Sequence, residues 1–292
     1  MAKIMKRKIL IGLLAVIGVV GIVFVLSNEN SLVLHPKGII AQSELELIIT
    51  NILLMLIIIV PTYTLLCAVL WKYCIKNEKA QYDPNHTCGP FGELLMWGLP
   101  SIIVAVMAIV TWNATHKLNP YKPIESEIKP LVVQVIALDW KWLFIYPELG
   151  IATLNYFQIP EQTPIHLRLT ADGSPMNSFW IPQLSGQIYS MTGMSTQLYL
   201  MANGPGEYVG RAVEINGKGY ADMTFAVKSI SAKDFEDWIA KVKKSSFHLT
   251  EDTYDDLVKP SVDKSIILFS EVENDLYHKI IDKYMYPTKP VL

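Results

Sequence analysis

Beyond residue 88 the chain has no cysteine; Cys67, Cys74 and Cys88 are the full set. No disulfide can therefore staple anything after that point. The spacing of Cys74 and Cys88 gives no paired zinc ligands. The histidines, His35, His86, His116, His166, His248 and His278, show none of the short spacings of a metal or haem site. There is no phosphate-cradling glycine loop and no nucleophile elbow; Asp172-Gly173-Ser174 and Gly217-Lys218-Gly219 read as turns. An excess of one charge is also missing. The 25 Lys and Arg against 27 Asp and Glu leave a formal net charge of −2, which excludes the basic surface of a nucleic-acid binder. Internal repeats and low-complexity segments are absent.

What the chain does have is apolar runs, all before Trp112. Leu47–Trp71 and Leu94–Trp112 carry no charged residue. A bilayer core of about 30 Å needs roughly 20 helical residues, so both are read as membrane spans, a hairpin over 44–115. Pro61 and Pro100 fall inside them, which membrane helices tolerate. Trp71, Trp97 and Trp112 lie at or near the ends, as interfacial aromatics do. An earlier uncharged run, Ile9–Leu26, follows Lys3, Lys6, Arg7 and Lys8. Residues 1–27 are thus a signal peptide, with Val25-Leu26-Ser27 as cleavage site, or an uncleaved anchor. Lys72, Lys76 and Lys79 place the loop between the spans in the cytoplasm. Everything after about Thr115 is then extracytoplasmic, periplasmic in a Gram-negative cell.

From Leu131 the pattern changes to short β-rich runs. These are Leu131–Leu138, Trp142–Tyr146, Pro164–Thr170, Thr196–Met201 and Met223–Val227, separated by Gly and Pro turns. Such a series indicates a sandwich or barrel. After Ile230 the pattern turns helical. Ser231-Ala232-Lys233-Asp234 is a helix start, followed by an apolar stripe of Phe235, Trp238, Ile239 and Val242. A final aromatic-rich segment spans Phe269–Met285.

Several stretches carry a resemblance. Gly210–Met223 reads Gly-Arg-Ala-Val-Glu-Ile-Asn-Gly-Lys-Gly-Tyr-Ala-Asp-Met, and upstream lies Met176-Asn177-Ser178-Phe179-Trp180-Ile181-Pro182. With Asp139–Glu148 and Gln187–Met194, in this order behind two spans, the chain resembles subunit II of the haem–copper oxidases. The resemblance implies a cupredoxin-type β-sandwich over 128–230 and a helical, aromatic-rich arm over 231–292. In the copper-binding members the two loops hold a dinuclear copper centre. Here the cysteine positions are Ala212 and Asn216, and the histidine positions are Tyr220 and Asn177. Only Glu214 and Met223 keep a ligand type. Bridging thiolates are what hold such a copper pair, so no metal, no cofactor and no catalytic residue is expected in this chain.

Loss of the copper ligands is what the quinol-oxidising branch shows, and the chain is most similar to the bo-type ubiquinol oxidases. That implies a proton-pumping complex in the bacterial inner membrane, with two haems, one copper and ubiquinol in subunit I. The implied partners are subunit I, further small membrane subunits and the lipid bilayer, without cytochrome c. Glu93, in Phe91-Gly92-Glu93-Leu94-Leu95-Met96-Trp97, matches a family position near a proton entrance; the plainer reading is a boundary carboxylate that snorkels. Trp140 and Trp142 are expected at the contact with subunit I, as packing anchors or as an electron path. An aa-type menaquinol oxidase subunit and a stand-alone membrane-tethered cupredoxin-like assembly protein remain as rivals.

Overall fold

A computed structural model describes residues 31–73, 77, 89–174 and 176–286. The 1–27 segment, His86, Cys74, Cys88, Lys76, Lys79 and Pro175 lie outside the described residues. The chain divides into two compact units, Ser43–Asn119 and the remainder.

The first unit is built on helices α1, Ile39–Lys72, and α2, Pro90–Lys117. Each contains one of the uncharged runs with a margin at both ends. Pro90 sits at the first position of α2, where its missing N–H costs nothing. Pro61 and Pro100 each remove an interior backbone donor. Hydroxyls stand beside both gaps: Thr62 donates to the Ile58 carbonyl at 2.7 Å and Ser101 to the Trp97 carbonyl at 2.7 Å. Apolar side chains along both helices are exposed, Leu65 at 65% and Leu94 at 69%. A helix of a soluble core would be mostly buried, so these faces suit hydrocarbon.

The second unit is a sandwich. One sheet has seven strands in the order β11-β12-β3-β2-β1-β5-β8. These are Phe247–Leu249, Ile267–Val272, Ile151–Leu154, Lys141–Tyr146, Leu131–Leu138, Ile165–Ala171 and Thr196–Leu200. The other has five in the order β4-β10-β9-β6-β7. These are Tyr156–Pro160, Thr224–Ile230, Gly206–Ala212, Met176–Trp180 and Ile188–Met191. The expected cupredoxin-type sandwich is present. Strand alternation sends Val133, Val135, Trp142, Phe144, Leu167 and Leu169 inward, onto Phe157, Phe179, Phe225 and Val227 of the facing sheet. Trp142 meets Phe179 and Phe225 edge-on, at 5.3 and 5.6 Å between ring centroids. Gly210 lets β9 close on this cluster, since a Cβ there would lie 2.0 Å from the Phe225 ring.

The outer face of the larger sheet is apolar as well. Ile136, Leu138, Leu143, Ile145, Ala152 and Leu154 form a second core with Leu249, Tyr254, Phe269, Leu276, Tyr277 and Ile280. The C-terminal segment supplies that cover. Its helices are α3, Ala232–Val242, α4, Glu251–Val258, and α5, Leu276–Met285. Ser231 caps α3 by accepting the Asp234 N–H at 3.2 Å, and Phe235, Trp238 and Val242 are its buried stripe. The helical pattern read after Ile230 is interrupted by β11 and β12. Pairing decided this: β12 runs antiparallel to β3, with Ile267 opposite Leu154, and continues the sheet where β3 would otherwise be an edge.

Residues 31–42 are bonded to the sandwich. The Lys37 and Gly38 N–H groups donate to the Gln183 carbonyl at 2.7 and 3.0 Å, and the Ala41 N–H donates to Leu184 at 3.3 Å.

Trp142 joins the two sheets of aromatic side chains at the centre of the sandwich. Trp142→Ala is expected to cost about 3–5 kcal/mol, read by denaturant unfolding of the full-length chain in detergent. A loss below about 1 kcal/mol would show that the aromatic cluster closes without it.

Candidate functional site: a loop cluster without copper ligands

The degenerate copper positions come together at one end of the sandwich. Asn177 is the second residue of β6, Ala212 ends β9, and Met223 immediately precedes β10. Phe179 pairs with Ala212 across the strands. The Val213 N–H donates to the Ser178 carbonyl at 3.1 Å, and the Ala212 N–H to the Met223 carbonyl at 3.0 Å. These bonds fix both ends of the intervening loop. Asn216 then reaches back over the strand ends. Its amide donates to Asn177 Oδ1 and, at 3.4 Å, to Met223 Sδ. Asn177 in turn donates to the Ser174 carbonyl at 3.5 Å. Asn177 and Met223 are fully buried, and Ala212 nearly so. Glu214 is half-buried and bonds to none of them, and Tyr220 packs on the main core.

This donor set does not fit a copper pair. Two carboxamides face each other where thiolate and imidazole would be required, and a methyl group occupies the other bridging position. The thioether is engaged by an amide N–H. Within the cluster the side chains are linked by the bonds from Asn216 to Asn177 and Met223.

Trp140 forms the rim. It sits in the β1–β2 turn with φ +64°, a costly conformation for a non-glycine residue. Its indole lies over Gly219, where a Cβ would come within 2.4 Å of the ring and 2.7 Å of Val262. Trp140 Nε1 is buried without a hydrogen-bond partner among the described residues.

Trp142 is two residues on, inside β2. Its side chain is enclosed by the facing sheet, at 0% exposure. Of Trp140 and Trp142, expected together at a contact with a neighbouring subunit, only Trp140 keeps part of its side chain at the surface of this chain. Trp140 sits in the turn before β2, whereas Trp142 is within the strand, on the face turned to the second sheet. Glu93 belongs to the other unit. It lies in the first turn of α2 and is exposed, its N–H donating to the Gly89 carbonyl at 3.1 Å.

The structure adds residues that local pattern did not single out. Asp172, in the turn after β5, is fully buried. Its carboxylate accepts from the Tyr254 hydroxyl at 2.7 Å, the Lys283 ammonium at 2.9 Å and the Tyr284 hydroxyl at 2.6 Å. Burial, reinforced by Asp172, pushes the Tyr254 phenol well up. The Lys283 ammonium is raised as well, because its bond to Asp172 and that charge outweigh its burial. Nearby, burial raises the Asp139 carboxyl and lowers the Lys141 ammonium. Lys141 donates to Ser261 Oγ at 2.7 Å and the Lys259 carbonyl at 3.0 Å. The partners are up to 120 residues apart in the chain, so no local spacing announces them.

A membrane-anchored sandwich with an emptied copper-loop scaffold defines subunit II of a haem–copper-type terminal oxidase. Residues 243–288 match the model of the COX Aromatic Rich Motif family. The chain is 45% identical over 250 residues to cytochrome bo(3) ubiquinol oxidase subunit 2 of Pseudomonas aeruginosa, covering 86% of this chain and 75% of that one. It is 44% identical to ubiquinol oxidase subunit 2 of Acetobacter aceti, covering 86% and 82%. It is 39% identical to quinol oxidase subunit 2 of Bacillus cereus, covering 80% and 81%. The periplasmic domain of subunit II of cytochrome oxidase from Bradyrhizobium japonicum superposes with a TM-score of 0.39 at 20% identity, over 42% of this chain and 98% of that one. The chain belongs to the ubiquinol oxidase subunit 2 family.

Asn216→Ala would strip Asn177 Oδ1 of its donor and leave it buried. The expected cost is about 1–3 kcal/mol, measured by unfolding of the full-length chain. An unchanged stability would mean that the amide pair is replaceable by water.

Proposed function

We propose that this chain is the copper-less subunit II of a proton-pumping ubiquinol oxidase, set in the bacterial inner membrane with its sandwich in the periplasm. One observation carries the reading: the loop cluster is closed by Asn177, Asn216 and Met223 where an electron-accepting copper pair would need thiolates. A chain without a redox group cannot relay electrons from a docked cytochrome c. Electrons then enter from ubiquinol inside the complex, and the two haems, the copper and the main quinol pocket belong to subunit I. This chain caps subunit I and supplies no catalytic residue. Further small membrane subunits complete the assembly.

Two roles follow for its own side chains. Trp140 serves as an anchor against subunit I, with its strained backbone and its indole N–H, without a partner among the described residues, at the rim of the sandwich supporting that assignment. Trp142 supports it from within the core. Glu93 serves as the proton entrance. It opens the second span on the side that the basic residues mark as cytoplasmic, and its carboxylate is exposed there.

Purification of the complex through this chain tests the reading against a free tether. Haem absorption is expected to accompany it in stoichiometric amount, and a colourless preparation would favour a stand-alone assembly protein. A second test addresses Glu93. Glu93→Gln removes the titratable group while keeping its shape, and Glu93→Asp keeps the acid. Quinol-dependent oxygen uptake should fall about a hundredfold in the first, the size of one general acid–base contribution at its lower end, and much less in the second, at equal haem content. Full activity in both would return Glu93 to a boundary residue.

A further inference from the structure

The loop end of the sandwich has little to hold it together by itself. Its centre is a pair of amides and one N–H···S contact, and five separate segments must meet around it. Each of the five is bonded to residues of the aromatic-rich arm. The β1–β2 turn is tied by Lys141, which donates to Ser261 and to the Lys259 carbonyl. The β3–β4 corner is tied by Asn155, whose amide donates to the Asp263 carbonyl at 2.7 Å and the Ser265 carbonyl at 3.3 Å. The turn before β6 is tied by Asp172 and by the Gly173 N–H, which donates to the Tyr284 hydroxyl at 3.2 Å. The β7–β8 turn is tied by Ser195, within 2.9 Å of the Tyr277 hydroxyl. The loop after β9 is tied by the ion pair of Asp222 and Lys264 at 2.7 Å.

These ties are unequal. The Asp222–Lys264 pair is half-exposed on both sides, with side chains at 51% and 60% exposure, and pairs of that kind contribute little. Asp172 is different. Its side chain is 1% exposed, and three donors from two separate helices of the arm converge on it. A buried carboxylate that loses its donors is costly to leave in place, so the turn and the arm are bound to move together. Gly173 lies next to it with φ +102°, and a Cβ there would press on the Asp139 carboxylate at 3.2 Å. The turn is therefore also confined from the β1–β2 side. Ser174 and Asn177 continue the same turn into the amide cluster.

We propose that the aromatic-rich arm is the cross-link that holds the copper-less loop cluster in a single arrangement, with Asp172 as the positioning residue that transmits its grip to Asn177 and Asn216. The arm covers the outer sheet face as well, but its tie to the loops is a separate task carried by polar groups. Hydrogen exchange followed by mass spectrometry on the full-length chain in detergent distinguishes the two.

The variants are Asp172→Asn and the pair Tyr254→Phe with Tyr284→Phe, with Lys228→Gln as control at the exposed pair with Glu207 on the other sheet. In Asp172→Asn, amides of 172–177 and 213–223 are expected to exchange at least about tenfold faster, while those of β1 and β5 stay at the wild-type rate. The double tyrosine variant should give about threefold or more at the same amides, and it decides the matter if Asp172→Asn does not fold. Acceleration confined to 276–286 would overturn the proposal, because the arm would then leave without disturbing the loops. Equal acceleration throughout the sandwich would overturn it too, because Asp172 would then contribute only to global stability.

Discussion

A sheet that is apolar on both faces must be covered twice, and the rest of the sandwich unit follows from that. All six residues of β2 are buried. Trp142, Phe144 and Tyr146 face the second sheet; Leu143 and Ile145 face the C-terminal segment. Antiparallel sandwiches commonly leave the outer side of each sheet to water. Here the outer side of the larger sheet would present a continuous apolar surface if residues 243–286 were absent. The arm is thus part of the folding unit, and its strand β12 extends the very sheet that its helices cover.

The same segment connects packing to the loop end. Its apolar side chains bury the sheet, and three of its polar ones, Tyr254, Lys283 and Tyr284, end on Asp172. A charge with three donors inside an apolar layer fixes register in a way that hydrophobic contact does not, since a helix can slide over leucines at small cost but cannot leave a carboxylate unpaired. The loop cluster inherits that order. Where soft ligands would draw the strand ends toward a metal, the amides of Asn177 and Asn216 bond to each other, and the scaffold survives as a small polar core.

Much of this was legible beforehand, for identifiable reasons. The spans follow from composition, because a charge-free run of that length has few other stable places. β1 is read to the residue, and the other four strand runs are off by one to three residues at their ends, where a ladder stops by geometry that no residue type marks. Ser231 announces its helix through a cap that works locally. Asn177, Ala212, Asn216 and Met223 were recognisable as one site by their order along a familiar pattern, and the fold does bring them into contact. That Trp142 is enclosed in the core was not legible, because a tryptophan in an aromatic-rich motif looks the same from the sequence whether its strand turns it inward or outward. β12 was hidden inside a segment read as helical.

What the sequence by itself determined is therefore what depends on neighbours in the chain or on bulk composition: the membrane helices, five of the strands, the helix cap, and the loss of thiolate and imidazole from the copper loops. What only the tertiary structure decided is which faces are paired. Asp172 looks like any turn aspartate until residues more than a hundred positions later close over it. Its burial, the inward side of Trp142 and the addition of β12 to the sheet are all set by long-range contacts, whose free energy exists only when both partners are folded together.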